Sequence, residues 1–522
     1  MTYFGKRARQ ILLSTATVIG LALAVAGQSG TVATAAPRLA ASVVPAGAIT
    51  TQSVGMQMFM WPWVSLQTEC TYVLGPEHID WIMVSPPQED ITGPQWWTHY
   101  QPVSYSLNSQ LGTERQFTDM VSACNDAGVK VIVDAVINHM SASNSGVGFD
   151  NTAYTKYSYP GLYDSADFHA GLATIDPNNY CGTRISNFSD PFQVTHCELL
   201  GLSDLATEKP SVRQTIADYL NHLIDLGVAG FRIDAAKHIG LDDLTAIHGL
   251  LNPVNGQPPY FVQESIGTAR YNSAWTGNGD VFAWDYQALF ANMFNGQANY
   301  LISSPVVNNI LGNPDNTVIM VSNHDTERSD SSHPTITYED YKKYQAASEF
   351  LLADPRGKPM LYTGYSYLTK DSGPTQDSSG FYLPATCPAG SKAAVQQKSY
   401  PVGTYVCMER WTGIKGMIQW RHEVASAPQT NAAVSGKLAS FTRGTGFFAI
   451  NASQTFIKGS LTKTVKTGLP KGTYCDVISG GATAKRGGKC IGTTVVVDSK
   501  GKAKITLASM TALALDKTNK LK

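Results

Sequence analysis

The chain has 522 residues, a charged fraction of 15% and a formal net charge of −1. This balance gives no field that would attract nucleic acid or an anionic membrane, whereas an uncharged polymer is a compatible partner. The length exceeds that of one ordinary domain, so we expect a large domain with a companion.

The N-terminus has the layout of a secretion signal. Basic residues between Lys6 and Arg9 precede a charge-free stretch from Ile11 to Ala26, and small residues follow up to Ala36. The apolar part is too short to span a bilayer, and no later stretch is apolar for long enough. We therefore predict a signal peptide over residues 1–36 and a secreted mature protein that does not enter a membrane.

Between Val54 and about Gln419, short apolar runs alternate with longer helical stretches, which is typical of a parallel sheet with crossover helices. The predicted strands lie near Val54–Met60, Ile79–Val84, Lys130–Asp134, Val228–Asp234, Tyr260–Glu264, Asp280–Trp284, Thr317–Ser322 and Lys358–Thr363. Eight such strands indicate an α/β fold with a (β/α)8 TIM barrel.

Two regions depart from this alternation. Residues 140–203 are rich in Ser, Asn, Gly and Tyr without clear periodicity, so we expect a small domain inserted after strand 3. Beyond about Gln419, short β-type runs such as Gly472–Ile478 predict a C-terminal antiparallel β domain. The predicted boundaries are 37–139 and 204–425 for the two parts of the barrel, 140–203 for the insertion and 426–522 for the C-terminal domain.

Ionisable residues follow four of the apolar runs directly. Asp234 ends one run, and Arg232 leaves the same face of that strand, where its guanidinium would lower the pKa of the aspartate. Glu264 follows an apolar run closely, a setting that would raise its pKa. Taken singly, each carboxylate is more simply explained as structural, but their joint placement at strand ends favours a catalytic site. Cleaving a sugar acetal requires such a pair, one group protonated and one charged.

The four stretches Val129–His139, Gly230–His238, Tyr260–Gly267 and Thr317–Asp325 resemble, in order and wording, the four sequence signatures of the α-amylase family of glycoside hydrolases. The resemblance implies endo-acting hydrolysis of internal α-1,4-glucosidic bonds in starch and maltooligosaccharides, with retention. Its catalytic residues map to Asp234 as nucleophile, Glu264 as proton donor and Asp325 as transition-state stabiliser. If the family geometry holds, the first two carboxyl groups lie about 5 to 5.5 Å apart.

Two alternatives remain open. The chain could be a maltooligosaccharide-forming or transglycosylating relative, because loops set product size while the catalytic trio is shared. It could also be a non-catalytic glucan-binding protein, although the intact trio argues against this. The family resemblance further implies an inserted calcium-binding subdomain, a C-terminal β-sandwich and a monomer.

An aromatic cluster follows the second strand, and aromatic faces pack well on sugar rings. The resemblance favours Trp97 and Tyr100 as the stacking pair, and we interpret Trp96 as packing. Core packing is the alternative for all three. The remaining predicted substrate contacts are Gln101, His139, Arg232, Lys237, His238 and His324.

The resemblance also implies bound ions. Calcium ligands map to Asn138, Asp204 and the backbone carbonyls of Thr195 and His238, which are all oxygens, although a polar turn explains Asn138 equally well. The nearest branch of the family is activated by chloride, which would lie between Arg232 and Asn323. Met360 stands where that branch has a further basic residue, with Lys358 nearby, so we predict weak or absent chloride dependence.

The eight cysteines suit disulfides better than a metal site, because their number is even, the chain is predicted to be exported, and no C-x-x-C spacing occurs. Spacing alone leaves the connectivity open. The resemblance implies the pairs Cys70 with Cys124, Cys181 with Cys197, Cys387 with Cys407, and Cys475 with Cys490.

Overall fold

The computed structural model describes residues 49–169, 181, 184–265, 273–294, 297–302, 311–328, 335–453 and 459–522. The predicted signal peptide therefore lies outside the described residues. Within them, none of the helices combines the length and the apolar character needed to cross a membrane.

A closed barrel of parallel strands forms the larger part of the chain. In chain order the strands are β1 (Gly55–Met58), β2 (Trp81–Val84), β3 (Lys130–Ala135), β4 (Ser145–Val147), β5 (Ala153–Thr155), β6 (Gly230–Ile233), β7 (Tyr260–Gln263), β8 (Asp280–Phe282), β9 (Thr317–Ile319) and β10 (Lys358–Thr363). All except β4 and β5 belong to the barrel, and β10 closes it by pairing with β1. The predicted (β/α)8 barrel is confirmed.

Barrel strands are apolar on both faces because helices cover the outside and side chains fill the inside. One apolar layer inside the barrel contains Met83, Ile132, Phe282, Val318 and Met360. The helices up to residue 424 are α1 (Trp63–Glu69), α2 (Glu114–Asp126), α3 (Pro191–His196), α4 (Pro210–Asp225), α5 (Leu241–Gly249), α6 (Trp284–Phe294), α7 (His324–Arg328), α8 (Lys342–Ala353) and α9 (Thr412–Val424).

Most strands end slightly earlier than the sequence predicts. β6 ends at Ile233 and β7 at Gln263, so Asp234 and Glu264 lie just beyond the strands that deliver them. The segment between β3 and β6 contains the antiparallel hairpin of β4 and β5 together with α3. An isolated bridge between His139 and Asp204 joins the two ends of this segment beside the barrel.

The C-terminal part consists of two four-stranded antiparallel sheets with a shared apolar core. Its elements are β11 (Gln429–Ser435), β12 (Leu438–Arg443), β13 (Gly446–Asn451), β14 (Ser460–Lys466), β15 (Gly472–Cys475), α10 (Val477–Gly480), β16 (Lys485–Arg486), β17 (Lys489–Cys490), β18 (Thr494–Val497), β19 (Lys502–Ala508) and β20 (Thr511–Asp516). The predicted all-β fold of this part is confirmed.

One strand prediction in this part is wrong at its end. The run Gly472–Ile478 was expected to be a single strand, but the strand stops at Cys475 and a short helix follows. The physical reason is Asp476, whose carboxylate accepts hydrogen bonds from the backbone N–H groups of Ile478 and Ser479. This capping starts the helix and overrides the β preference of Val477 and Ile478.

Four disulfides connect the described cysteines. The structure joins Cys70 to Cys124, Cys181 to Cys197, Cys387 to Cys407, and Cys475 to Cys490. These are the four pairs that the resemblance implies. Two of the bridges lie within the barrel part, one lies in the segment between β3 and β6, and one lies in the C-terminal sheets.

Candidate active site

The predicted catalytic carboxylates meet at the carboxyl end of the barrel. Asp234 follows β6, Glu264 follows β7, and Asp325 is the second residue of α7, just after β9. Because parallel strands direct their carboxyl ends to the same face, residues far apart along the chain converge there. All three line one cavity of about 310 Å³.

Arg232 lies beneath these carboxylates and connects them. Its Nη1 contacts Asp234 Oδ1 at 2.5 Å and Asp134 Oδ1 at 2.5 Å, and its Nη2 lies 2.9 Å from Glu264 Oε2. Asp234 and Glu264 are therefore separated by a single guanidinium group. Arg232 is 1% exposed, so its charge is not weakened by solvent and supplies a positive charge beside Asp234.

Burial sets the protonation state of Glu264. Desolvation raises its pKa to about 8, Arg232 opposes the increase, and the charges of Asp234 and Asp325 add to it. The backbone N–H of Ala235 donates to Glu264 Oε2 at 2.9 Å, the same oxygen that Arg232 contacts. The proton of the neutral acid therefore belongs on Oε1, and near neutral pH the group can donate it.

Desolvation also raises the pKa of Asp325, to about 6, while Arg232 lowers it and Asp234 raises it. The Asp325 side chain is 39% exposed and is the most accessible carboxylate of the three. Its neighbour His324 has Nε2 at 3.4 Å from Asp325 Oδ2. A carboxylate and an imidazole side by side at the cavity surface are suited to binding sugar hydroxyls.

Aromatic and apolar side chains form the cavity walls. Trp97, Tyr100, Gln101, His139 and His324 all line it, as predicted for substrate contacts. A further part of the lining, which the sequence reasoning missed, comes from the segment before Asp204 and consists of Leu199, Leu200 and Leu202, called here the leucine wall. These leucines fall in a region without periodicity, so no sequence pattern marks them as a wall.

The aromatic residues of the cavity also contact other rings of the protein. Tyr100 stacks on His324, with ring centroids 5.3 Å apart and an interplanar angle of 10°. Trp96, interpreted from sequence as packing, both packs against the core and lines the cavity. Its Nε1–H donates to the carbonyl oxygen of Lys370 at 2.8 Å, and its ring forms a T-shaped pair with Tyr100, with centroids 5.7 Å apart.

Three predicted substrate contacts, Arg232, Lys237 and His238, are absent from the described lining of this cavity. Arg232 is buried beneath the carboxylates. His238 is buried, and its Nδ1 lies 2.8 Å from the carbonyl oxygen of Val194 in α3. Lys237 is half-buried, and its backbone N–H donates to the carbonyl oxygen of Glu264 at 3.4 Å. In this structure His238 is therefore joined to α3, and Lys237 is joined to the residue that follows β7.

Asp134 was not singled out from sequence, yet it belongs to the site. It accepts from Arg232 and from the Tyr100 hydroxyl at 2.9 Å. Desolvation raises its pKa to about 7, although Arg232 lowers it. A buried aspartate near the end of β3 is the signal that could have identified it, because β3 neighbours β6 in the barrel.

The predicted calcium ligands fall into two adjacent groups. Asn138 Nδ2 and Asp204 Oδ1 are 3.3 Å apart. His238 contacts Val194, the residue before Thr195. His169, which the sequence reasoning missed, lies with Nδ1 2.6 Å from Asp204 Oδ2 and orients that carboxylate. The other Asp204 oxygen accepts from the Asn138 amide nitrogen, so the Asp204 carboxylate and the Asn138 amide lie side by side, and a hard cation held there would be bound by Asp204 together with the amide oxygen of Asn138.

The residues implied for chloride have other partners. Asn323 Oδ1 accepts from the backbone N–H and the hydroxyl of Thr326, each at 2.9 Å. Met360 is fully buried in the apolar layer of the barrel. Lys358 Nζ lies 2.6 Å from Asp280 Oδ2 at the amino ends of β8 and β10, so it does not replace a basic residue at the rim.

The sequence of this chain is similar to the sequences of known α-amylases. Residues 82–258 match the family described as "Alpha amylase, catalytic domain", and residues 432–518 match "Alpha amylase, C-terminal all-beta domain". The chain is 38% identical to an α-amylase of Thermomonospora curvata over 495 residues, which covers 91% of this chain and 75% of the relative. It is 36% identical to an α-amylase of Tenebrio molitor over 473 residues, covering 87% and 94%.

Solved structures agree. The crystal structure of α-amylase I from Eisenia fetida superimposes with a TM-score of 0.77 at 29% identity, covering 89% of this chain and 97% of that one. A Glu-to-Gln variant of the same enzyme, described in complex with maltohexaose, superimposes with a TM-score of 0.75 at 28% identity, again covering 89% and 97%.

Proposed function

The chain belongs to the α-amylase family of glycoside hydrolases, and we propose that it cleaves starch and maltooligosaccharides with retention of the anomeric configuration. As an endo-acting α-amylase, it hydrolyses internal α-1,4-glucosidic bonds. The observation that carries the assignment of roles is the Arg232 cluster, which brings Asp234 and Glu264 onto one guanidinium beside a sugar-sized cavity. Burial holds Glu264 in its acid form near neutral pH.

The chemistry follows from these two environments. Asp234 attacks the anomeric carbon while Glu264 transfers its proton to the departing glycosidic oxygen, which forms a glycosyl-enzyme ester and releases the chain on the leaving-group side. Glu264, now a carboxylate, removes a proton from water, and the resulting nucleophile attacks the anomeric carbon and frees Asp234. Two inversions at the same carbon give net retention. Asp325 and His324 bind sugar hydroxyls as positive charge develops on the ring.

The remaining predicted contacts complete the substrate site. Trp97 and Tyr100 supply aromatic surface, and Gln101 and His139 supply polar groups to the lining of the cavity. None of these side chains carries a fixed positive charge, which suits a neutral glucan. Lys237 and His238 would reach a sugar only in subsites beyond the described cavity, on the leaving-group side.

The experiment that tests this function follows the products of maltooligosaccharide cleavage by ¹H NMR. Immediate appearance of the α-anomer, with the β-anomer rising later by mutarotation, is expected for retention. First appearance of the β-anomer would overturn it. Long fragments early in amylose digestion support endo action, whereas products longer than the substrate would indicate the transglycosylating alternative, and an inactive chain that still binds glucan would indicate the binding-protein alternative.

We further propose that calcium binds between the barrel and the segment at residues 140–203, held by Asn138 and Asp204 with carbonyl oxygens of Thr195 and His238. Bound there, the ion would supply a fixed positive charge that ties the leucine wall to the barrel. Because a ligand at 100 times its Kd adds about 2.7 kcal/mol of stability, chelation should lower Tm measurably. Calcium, but not magnesium, should restore it, and Asp204→Asn should abolish the response.

Chloride dependence is proposed to be weak or absent, since Met360 lies in the apolar layer of the barrel and Lys358 is paired with Asp280, so neither supplies a second cation beside Arg232. Activity measured in acetate and in chloride buffers of equal ionic strength should agree. We also propose that the protein is secreted and that it is a monomer. The four disulfides support secretion, because disulfides form in oxidising compartments.

A further inference from the structure

His324 occupies a closed aromatic stack beside the catalytic cavity. One face lies against Tyr100, with centroids 5.3 Å apart, and the other lies against Phe59, with centroids 5.0 Å apart. Guanidinium groups lie over both neighbouring rings: Arg232 is 5.9 Å from the Tyr100 ring centroid and Arg328 is 4.9 Å from the Phe59 ring centroid. Only the edge of the imidazole can interact with other groups.

This environment keeps the imidazole neutral. His324 is 1% exposed, and burial together with the charges of Arg232 and Arg328 lowers its pKa well below the usual value. A neutral imidazole carries one N–H, on either Nδ1 or Nε2, and the two forms present opposite hydrogen-bonding patterns to their neighbours. The location of that proton therefore determines what the ring offers to the cavity.

The neighbours of the two nitrogens decide between the forms. Nε2 lies 3.4 Å from Asp325 Oδ2, so an unprotonated Nε2 would direct its lone pair at a carboxylate oxygen. Nδ1 lies 2.8 Å from Nε2 of the Gln57 side chain, which is a donor. Both contacts agree with one form, in which His324 Nε2 carries the proton and Nδ1 accepts from Gln57.

We propose that Gln57 is a positioning residue that fixes this tautomer of His324 and so keeps an N–H donor beside Asp325 in the cavity. Gln57 is 3% exposed, belongs to β1, and is absent from the described cavity lining. It acts through His324 and does not touch substrate. The inference rests on the proposed function only for its catalytic consequence, because the tautomer itself is a property of the resting protein.

The consequence concerns the sugar hydroxyl that Asp325 binds. With the proton on Nε2, the imidazole donates to a hydroxyl oxygen while the carboxylate accepts the hydroxyl proton, so both partners are satisfied. With the proton on Nδ1, two acceptors would face the same hydroxyl. Among the described residues, Gln57 Oε1 has no hydrogen-bond partner, so the bond to His324 is what orients the amide.

The direct test reads the tautomer by NMR. The protein is labelled with ¹⁵N-histidine, and long-range ¹H–¹⁵N spectra are compared with those of His324→Asn to assign the ring. We expect Nδ1 at the frequency of an unprotonated nitrogen and Nε2 at that of a protonated one. In Gln57→Met, proton density should move to Nδ1. A protonated Nδ1 in the parent, or an unchanged tautomer in Gln57→Met, would overturn the proposal even if the enzyme is fully active.

The kinetic test separates positioning from structure. Gln57→Met should lower kcat/KM on maltooligosaccharides by roughly tenfold. In a His324→Asn background the same change should have no further effect, since Gln57 then has nothing to position. Gln396→Met is the matched control: Gln396 is also 3% exposed and donates one hydrogen bond, to the carbonyl of Tyr338. It should lower Tm and leave kcat/KM of the folded enzyme near that of the parent.

Equal losses of kcat/KM in Gln57→Met with and without His324 would contradict positioning. An inactive parent with the expected tautomer would leave this assignment standing and remove the proposed function instead. The same set of proteins therefore distinguishes failure of the positioning role of Gln57 from failure of the proposed function.

Discussion

Each end of the barrel contains a buried cation that contacts carboxyl groups, but the number of carboxyl groups differs between the two ends. At the carboxyl end Arg232 contacts three carboxyl groups, those of Asp134, Asp234 and Glu264. At the amino end Lys358 contacts one, Asp280, at 2.6 Å. The Tyr260 hydroxyl donates to the same Asp280 oxygen at 2.5 Å. Each end also borders a cavity of about 300 Å³.

The difference in charge balance supports the proposal that the chemistry takes place at the carboxyl end. At the amino end one cation faces one carboxylate, and Lys358 opposes the increase that burial causes in the pKa of Asp280. One cation for three carboxyl groups cannot satisfy them all, so protons remain on some of them. At the carboxyl end, burial raises the pKa of Glu264 to about 8 and that of Asp134 to about 7, in spite of Arg232. Acid catalysis requires this deficit of positive charge.

The largest expected effect comes from removing the acid at the carboxyl end. Glu264→Gln keeps the shape and the contact with Arg232 but cannot donate a proton, so kcat on soluble starch should fall by about 10²–10⁴-fold. Tm should change little. Asp280→Asn is the matched change at the amino end, and it should leave kcat of the folded enzyme near that of the parent. Comparable losses of kcat at both ends would contradict the division of roles.

The next effect concerns stability at the amino end. Lys358→Met leaves Asp280 buried without its cation, and breaking such a pair typically costs about 3–5 kcal/mol. Denaturant unfolding should show this loss, with kcat per folded molecule unchanged. The double variant Lys358→Met with Asp280→Asn removes both charges and should recover part of the stability. If the double variant is less stable than Lys358→Met alone, the pair is not the stabilising unit.

The sequence determines the positions of the catalytic groups more directly than their partners. Asp234 and Glu264 follow apolar strand runs immediately, so local pattern and barrel geometry together bring them to one rim. Contacts such as Asp134 with Arg232, or Gln57 with His324, join residues 98 and 267 positions apart and depend on which strands become neighbours. His169 is similar, because its partner Asp204 lies 35 residues further along the chain. No local pattern encodes these pairings.

Local chemistry also overrode one pattern. The β-branched pair at Val477 and Ile478 predicted a continuing strand, but the Asp476 side chain caps a helix there. Trp96 shows a different limit, since one indole both packs on the core and lines the cavity. A sequence pattern predicts whether such a residue is buried, but it does not predict which part of the side chain remains accessible from the cavity.

The smallest expected effect is that of the amino-end pair on the pH dependence of kcat/KM. Glu264 works as an acid, and burial raises its pKa from the usual value of 4.5 to about 8. The protonated form therefore persists through neutral pH, and kcat/KM should decline as pH rises through about 8, tenfold for each further unit. This decline is the basic limb of the pH profile. Since the pair at the amino end takes no part in the proposed proton transfer, Asp280→Asn should leave the pH of the basic limb unchanged. A basic limb near pH 4.5 would show that burial does not control Glu264, and a limb that moves in Asp280→Asn would show that the two clusters are coupled through the barrel. An unmoved decline near pH 8 would assign the proton to the carboxyl end, because of the two clusters compared, the one there has more carboxyl groups than cations.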